Sequence, residues 1–175
     1  MTERISILGC GWLGTAVAKR FVVAGYKVKV SSATPAHVAE LEDVGFDAYR
    51  VLVHPEYLEL DDPSFFDTDV LMISIPPKRI ENIDTVFSAQ ITRIVEKIKE
   101  YNVKKVVFIS STSVYEPKRQ IVKEGDEGEP EKASGKTLMK AEQLLLDQPE
   151  FEATVIRFGG LIGGTRNPAG FLSRK

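Results

Sequence analysis

Ile5-Ser6-Ile7-Leu8-Gly9-Cys10-Gly11-Trp12-Leu13-Gly14-Thr15-Ala16-Val17-Ala18-Lys19-Arg20-Phe21 is the stretch around which the rest of the chain is organised. Arg4 to Leu8 reads as a short buried strand, and Leu13, Ala16, Val17 and Phe21 recur on one side of the helix that follows. Between them lies G-x-G-x-x-G, with glycines at positions 9, 11 and 14, in the strand-to-helix context that gives the pattern its mechanism. Gly9 permits a tight turn. Gly11 has no side chain to hold a diphosphate off the backbone, and Gly14 lets the helix pack closely on the strand. The helix start, at Trp12 and Leu13, offers free N–H groups and the positive end of its dipole to phosphates. The pattern implies dinucleotide binding; a purely structural glycine turn is the competing reading.

Outward from this stretch, strands and helices alternate. Lys27 to Ser31 reads as a second strand after Gly25, and Pro35 opens a helix that runs to Val44 and closes at Gly45. Phe46 to Val53 is a third strand. Glu56 to Phe66 is irregular and acidic, with a helical turn near Pro63. Asp69 to Ile75 is a continuous apolar run stopped by Pro76-Pro77, the pattern of a central strand buried on both faces. Ile80, Ile83, Phe87, Ile91, Ile94, Val95 and Ile98 give a long amphipathic helix. Lys104 to Ser110 is a fifth strand, Glu116 to Lys132 a charged loop, Ser134 to Leu146 a helix and Phe151 to Phe158 a sixth strand. Two β-α-β-α-β halves predict an α/β Rossmann fold: a doubly wound parallel sheet with helices on both faces and strand order 3-2-1-4-5-6. The expected division is a dinucleotide-binding domain over residues 1–163 and the start of a C-terminal substrate lobe over 164–175.

Composition narrows the function classes. The net charge of −2 gives no basic excess for nucleic acid, and no apolar run is long enough to span a bilayer. Cys10 is the only cysteine, so no internal disulfide forms; with no signal-peptide pattern, a reducing cytoplasm is expected. Within the crowded loop Cys10 reads as a small packing residue. No His, Cys and carboxylate cluster has metal-ligand spacing, so no metal is expected. The carboxylates Glu124, Asp126, Glu127, Glu129 and Glu131 read as a solvated loop, and His37 and His54 as surface residues.

An NAD site carries Asp or Glu about 20 residues past the glycines, on the ribose 2′-hydroxyl. Here that position holds Ser31-Ser32-Ala33-Thr34, with no carboxylate before Glu40. Without an acid to repel a 2′-phosphate, and with Ser31, Ser32 and Thr34 as donors, NADP is preferred over NAD. Ser74, Ile75 and Pro76 end the central strand where backbone carbonyls meet a cofactor ribose.

Val106-Val107-Phe108-Ile109-Ser110-Ser111-Thr112-Ser113-Val114-Tyr115 adds a second motif. With the glycine loop, Glu124, Pro130 and Lys140-Ala141-Glu142-Gln143-Leu144-Leu145, it resembles the extended and atypical short-chain dehydrogenase/reductases, the NAD-dependent epimerase/dehydratase group. The resemblance runs from about Ile5 to Gly163. It implies that Ser111 orients the substrate oxygen, that Ser110 borders the cofactor, and that Phe158, Gly159 and Gly160 follow the sixth strand past the nicotinamide. It also implies a Tyr-x-x-x-Lys pair on the next helix, and the register set by Ala141-Glu142 puts those positions on Ser134 and Leu138, which cannot serve as acid/base and cation. Tyr101 and Lys105 have the spacing but precede the strand; Tyr115 and Arg119 are separated by Pro117. The glycine pattern and the missing pair resemble the atypical branch.

Two functions follow. One is an NAD(P)-dependent oxidoreductase, epimerase or dehydratase acting on a nucleotide-sugar-like or small hydroxy/keto substrate, with a homodimer through the two later helices. The other is a non-catalytic NAD(P)-binding redox sensor or scaffold.

Overall fold

The computed structural model describes residues 2–116, 121–126, 128–164 and 166–167. Its first half runs β1 (Arg4–Leu8), α1 (Trp12–Val23), β2 (Lys27–Ser32), α2 (Pro35–Asp43) and β3 (Asp47–Val53). A three-residue strand, β4 (Leu58–Leu60), and a 3-10 turn over Pro63–Phe66 lead to the second half. That half runs β5 (Val70–Ile73), α3 (Ile83–Glu100), β6 (Lys105–Ser111), α4 (Ala133–Leu146) and β7 (Glu152–Phe158). The sheet order is β4-β3-β2-β1-β5-β6-β7, parallel throughout except for β4 against β3.

The six expected strands therefore take the expected order, and a seventh extends the sheet at the β3 edge. The stretch read as irregular contains β4, which pairs Leu58 with Val53 and Leu60 with Val51. Three residues are too few for a periodic signal; the open edge of β3 makes them a strand. Two other boundaries move. The central strand ends at Ile73, because its neighbour β1 stops at Leu8 and the loop turns away at Gly9; Ser74 keeps one bond, donating its N–H to the Leu8 carbonyl at 2.8 Å. The long helix begins at Ile83, behind a left-handed Asn82, and Ile80 is left half exposed.

Side chains alternating along the strands feed two cores. On one face Ile5, Ile7, Val28, Val30 and Met72 pack under α1 and α2 with Ala18 and Leu41. On the other, Leu8, Leu71, Ile73, Val106 and Phe108 pack under α3 and α4. The apolar stripe of α3, Phe87, Ile91, Ile94, Val95 and Ile98, is buried within the chain. At the far end of the sheet Arg4 clamps β1 to the segment before β5, donating through Nη2 to Asp69 at 2.9 Å and through Nη1 to Asp67 at 2.6 Å. Among the described residues no helix is long and apolar enough to cross a membrane.

Candidate functional site

The carboxyl ends of β1, β2, β5 and β6 meet around the glycine loop. Gly9 has φ +94°, and a Cβ there would lie 2.7 Å from Ile75 Cγ2 and 3.1 Å from the Ser74 carbonyl carbon. Gly14 brings α1 so close to the turn that a Cβ would sit 2.8 Å from the Gly9 carbonyl oxygen. At Gly11 a Cβ would meet nothing within 4 Å. Two glycines thus shape the loop and the third faces open space, a cradle that a side chain would fill. The loop's own amides are divided accordingly. Gly9 donates its N–H to Ser31 Oγ at 3.2 Å and Cys10 donates to the Ser31 carbonyl at 2.7 Å, while Trp12, Leu13 and Gly14 open α1 with no preceding turn to bond.

A cleft of about 390 Å³ lies over this helix start, bounded by Gly11 to Gly14, Ser74 to Pro77, Ile109 to Ser111, Leu138, Leu161 and Arg166. A smaller cleft of about 210 Å³ adjoins it across Ile75 and Pro76 and carries Gly9, Ser31, Ser32, Lys78 and Gln90. Outside the loop, Lys19 and His37 border a third with Gly11, Trp12 and Thr15.

Several expected residues take other roles. Ser31 is 1% exposed, and its hydroxyl accepts from Gly9 and lies 3.4 Å from the Ile7 carbonyl; it braces the loop instead of serving a ribose phosphate. Ser32 remains half buried at the rim, with His37 Nδ1 3.1 Å from its hydroxyl. Thr34 is exposed, 3.4 Å from Ser32 Oγ, and borders none of these clefts. Ser110 lines the main cleft, but its hydroxyl donates to Glu142 and is spent. Gly159 and Gly160 lie away from the main cleft, in a cavity of about 560 Å³ that also holds Thr112, Ser113, Tyr115, Glu131 and Lys132; Phe158 borders neither. Trp12, Leu13, Gly14, Ser74, Ile75 and Pro76 do line the main cleft.

Ser111 is the residue shared by the two cavities. Its Oγ accepts the Ser113 N–H at 3.1 Å, capping the 3-10 turn Thr112–Val114, so the hydroxyl proton is free to donate. Leu138 is 6% exposed beside the main cleft, and Ser134 is exposed. The described residues lining that cleft include no tyrosine and no lysine.

Beneath Ser110 lies a network that sequence reasoning missed. Arg157 on β7 reaches Glu142 on α4 with Nη2 to Oε2 at 2.7 Å and Nε at 3.2 Å from each carboxylate oxygen. The two side chains are 17% and 3% exposed. The same guanidinium stands 5.0 Å from the centroid of the Tyr115 ring, so one ion pair supports both the end of β6 and a wall of the second cavity. The available signal was a carboxylate on the inner stripe Leu138, Ala141, Glu142, Leu145. Cys10 is buried with its thiol pushed up by desolvation, as suits a packing residue. His54 stacks on Tyr57 with ring centroids 4.3 Å apart. Among the described residues no group of His, Cys, Asp and Glu could hold a metal ion; Pro117, Arg119 and Glu127 lie outside them.

The family described as NADP oxidoreductase coenzyme F420-dependent matches residues 4–95, just over half of the chain, from β1 into α3. The chain belongs to that family. The match takes in the glycine loop, the end of β2 and Ser74 to Pro76, and stops before Ser111. Protein YeeZ of Escherichia coli K12 is 30% identical over 99% of this chain, which spans 64% of that protein's length. Two solved structures share the fold with a TM-score of 0.75. One is a functionally unknown conserved protein from Silicibacter pomeroyi, 22% identical over 97% of this chain and 57% of its own. The other is the UDP-N-acetylglucosamine 4-epimerase of Bacillus cereus, 15% identical over 94% and 56%. The fold is that of NAD(P)-binding oxidoreductases and epimerases, and family membership supports nicotinamide dinucleotide binding.

Proposed function

We propose that the chain is the NADP-binding part of an oxidoreductase or epimerase of the atypical short-chain dehydrogenase/reductase type, acting on a small hydroxy/keto or nucleotide-sugar-like substrate. The observation that carries this is Ser111, a hydroxyl with a free proton in the wall between the nucleotide cleft and a second, polar cavity. Gly11, Trp12, Leu13 and Gly14 hold the diphosphate, and Ser74 to Pro76 face the riboses. A bound nicotinamide supplies or takes up a hydride. Ser111 donates to the substrate oxygen and holds it at the boundary of the two cavities, with Gly159 and Gly160 leaving room for the substrate beside it.

The NADP preference is supported by charge. Among the described residues no carboxylate lines the clefts that hold Ser32 and His37, while Lys19, Lys78 and His37 do. A 2′-phosphate meets no repulsion there. A substrate lobe beyond Gly163 completes the second cavity in this reading; residues 168–175 lie outside the described ones.

Leu138 in place of the helix lysine favours the second reading, a non-catalytic NADP-binding sensor. The test uses the whole protein with NADPH and NADH against a panel of small carbonyls and nucleotide sugars. The family's description pairs NADP with coenzyme F420, so the panel includes that coenzyme. Turnover with NADPH that falls on Ser111→Ala supports the enzyme. Micromolar NADPH binding without turnover supports the sensor, and binding of neither dinucleotide overturns both.

A further inference from the structure

Among the described residues fourteen line the main cleft, and Arg166 alone of these carries a formal charge. A dinucleotide's diphosphate brings two negative charges, against which the start of α1 sets about half a positive one. Leu138, at the register of the helix lysine that the resemblance implies, adds no charge to this cleft.

Arg166 is seated with care. Its guanidinium lies 4.4 Å from the centroid of the Trp12 indole, at the first residue of α1. The turn that carries it is closed by two reciprocal bonds: Gly163 donates to the Arg166 carbonyl at 3.2 Å and Arg166 donates to the Gly163 carbonyl at 2.9 Å. Gly163 and Gly164 have φ +150° and +49°, and a Cβ on either would come within 3.8 Å of the indole. The contact at that distance is ordinary; the positive φ is what suits glycine and few other residues. A guanidinium carries five N–H donors, so one held over a ring keeps donors for an anion. Among the described residues no carboxylate is paired with Arg166.

We propose that Arg166, stacked on Trp12, is the anion clamp of this cleft and pairs with the dinucleotide's diphosphate. The inference depends on the dinucleotide reading above and adds to it a residue supplied by the segment after β7. Trp12 is a positioning residue here: it fixes the guanidinium, and the guanidinium meets the phosphate. The competing view is a stack that only packs the turn onto α1, and that view leaves phosphate affinity unchanged when the charge is removed.

The test is calorimetric titration of the whole protein with NADP+, with ADP, which keeps the diphosphate, and with adenosine 2′-monophosphate, which lacks it. Arg166→Gln is expected to weaken NADP+ and ADP by about tenfold or more, since a charge-assisted bond is lost. Adenosine 2′-monophosphate should bind the variant as it binds the wild type. Arg166→Lys should fall between, keeping the charge without the stacked fork. Trp12→Ala should weaken ADP, and adding it to Arg166→Gln should weaken ADP no further, because the two act through one contact. NADP+ binding to Arg166→Gln within twofold of wild type overturns the clamp and leaves the cofactor reading standing. Equal weakening of all three ligands, or additive losses in the double variant, also overturns it. A wild-type protein that binds neither NADP+ nor NAD+ overturns both.

Discussion

Gly11→Ala separates binding from folding at a single position. In the folded chain the added methyl meets nothing within 4 Å, and Gly11 has φ −78°, which alanine adopts freely. Its cost to stability is that of alanine at a helix N-cap, within about 1 kcal/mol. A diphosphate held by the amides of α1 needs its oxygens about 2.9 Å from the donor nitrogens. A methyl standing about 1.5 Å from its Cα occupies that approach. Losing one charge-assisted hydrogen bond costs about 1.5–3 kcal/mol, or roughly 10–150-fold in affinity. Gly14→Ala and Gly9→Ala behave in the opposite sense. The first drives a methyl to 2.8 Å from a backbone oxygen and costs about 1–3 kcal/mol of stability. The second adds to a 2.7 Å contact with Ile75 a left-handed φ, worth about 1–2 kcal/mol more. Urea unfolding and NADP+ calorimetry on the three variants give the two orders. A Gly11→Ala protein that unfolds like wild type and binds NADP+ within twofold of it refutes the assignment of this loop to the diphosphate.

Three further outcomes follow from the same geometry. Arg157→Leu leaves the 3%-exposed Glu142 as an unpaired buried charge and should cost about 3–5 kcal/mol in urea unfolding, most of it regained in Arg157→Leu/Glu142→Leu; a double variant as unstable as the single one rules this out. Asp69 is held down to about 2 by its hydrogen bonds from Arg4, so it contributes stability above the ordinary carboxylate range that is lost as pH falls through that value. Asp69→Asn should accordingly be less stable than wild type at neutral pH and match it near pH 2 in thermal scans; a gap that persists at pH 2 contradicts the cause given. Ser111→Ala should lower turnover of the whole protein about a hundredfold with NADPH affinity unchanged, whereas a loss of NADPH affinity would place the hydroxyl on the cofactor.

Much of the fold was legible because its signals are local. Glycines 9, 11 and 14, the buried runs of β1 and β5 and the period of α3 each declare themselves within a dozen residues, and the alternation of strands and helices permits few sheet orders. The candidate site was legible in part. Gly11, Trp12, Leu13 and Gly14 line the cleft, and so do Ser74 to Pro76, because the ends of β1 and β5 converge in any sheet of this order. Ser31 and Ser110 show the limit. A hydroxyl near the right place reads the same in a sequence whether it faces a ligand or a neighbour, and here they turn to Gly9 and to Glu142.

By itself the sequence determined the order of six of the seven strands, the glycine cradle and the place of Ser111 at the end of β6, each a consequence of backbone conformation and short-range periodicity. Tertiary structure decided which polar groups are spent and which are free. The Arg157–Glu142 pair, 15 residues apart, and the Arg166–Trp12 stack, between opposite ends of the chain, exist because folding brings those side chains together. Charge and stacking act over a few ångströms of space, and distance along the chain does not encode them.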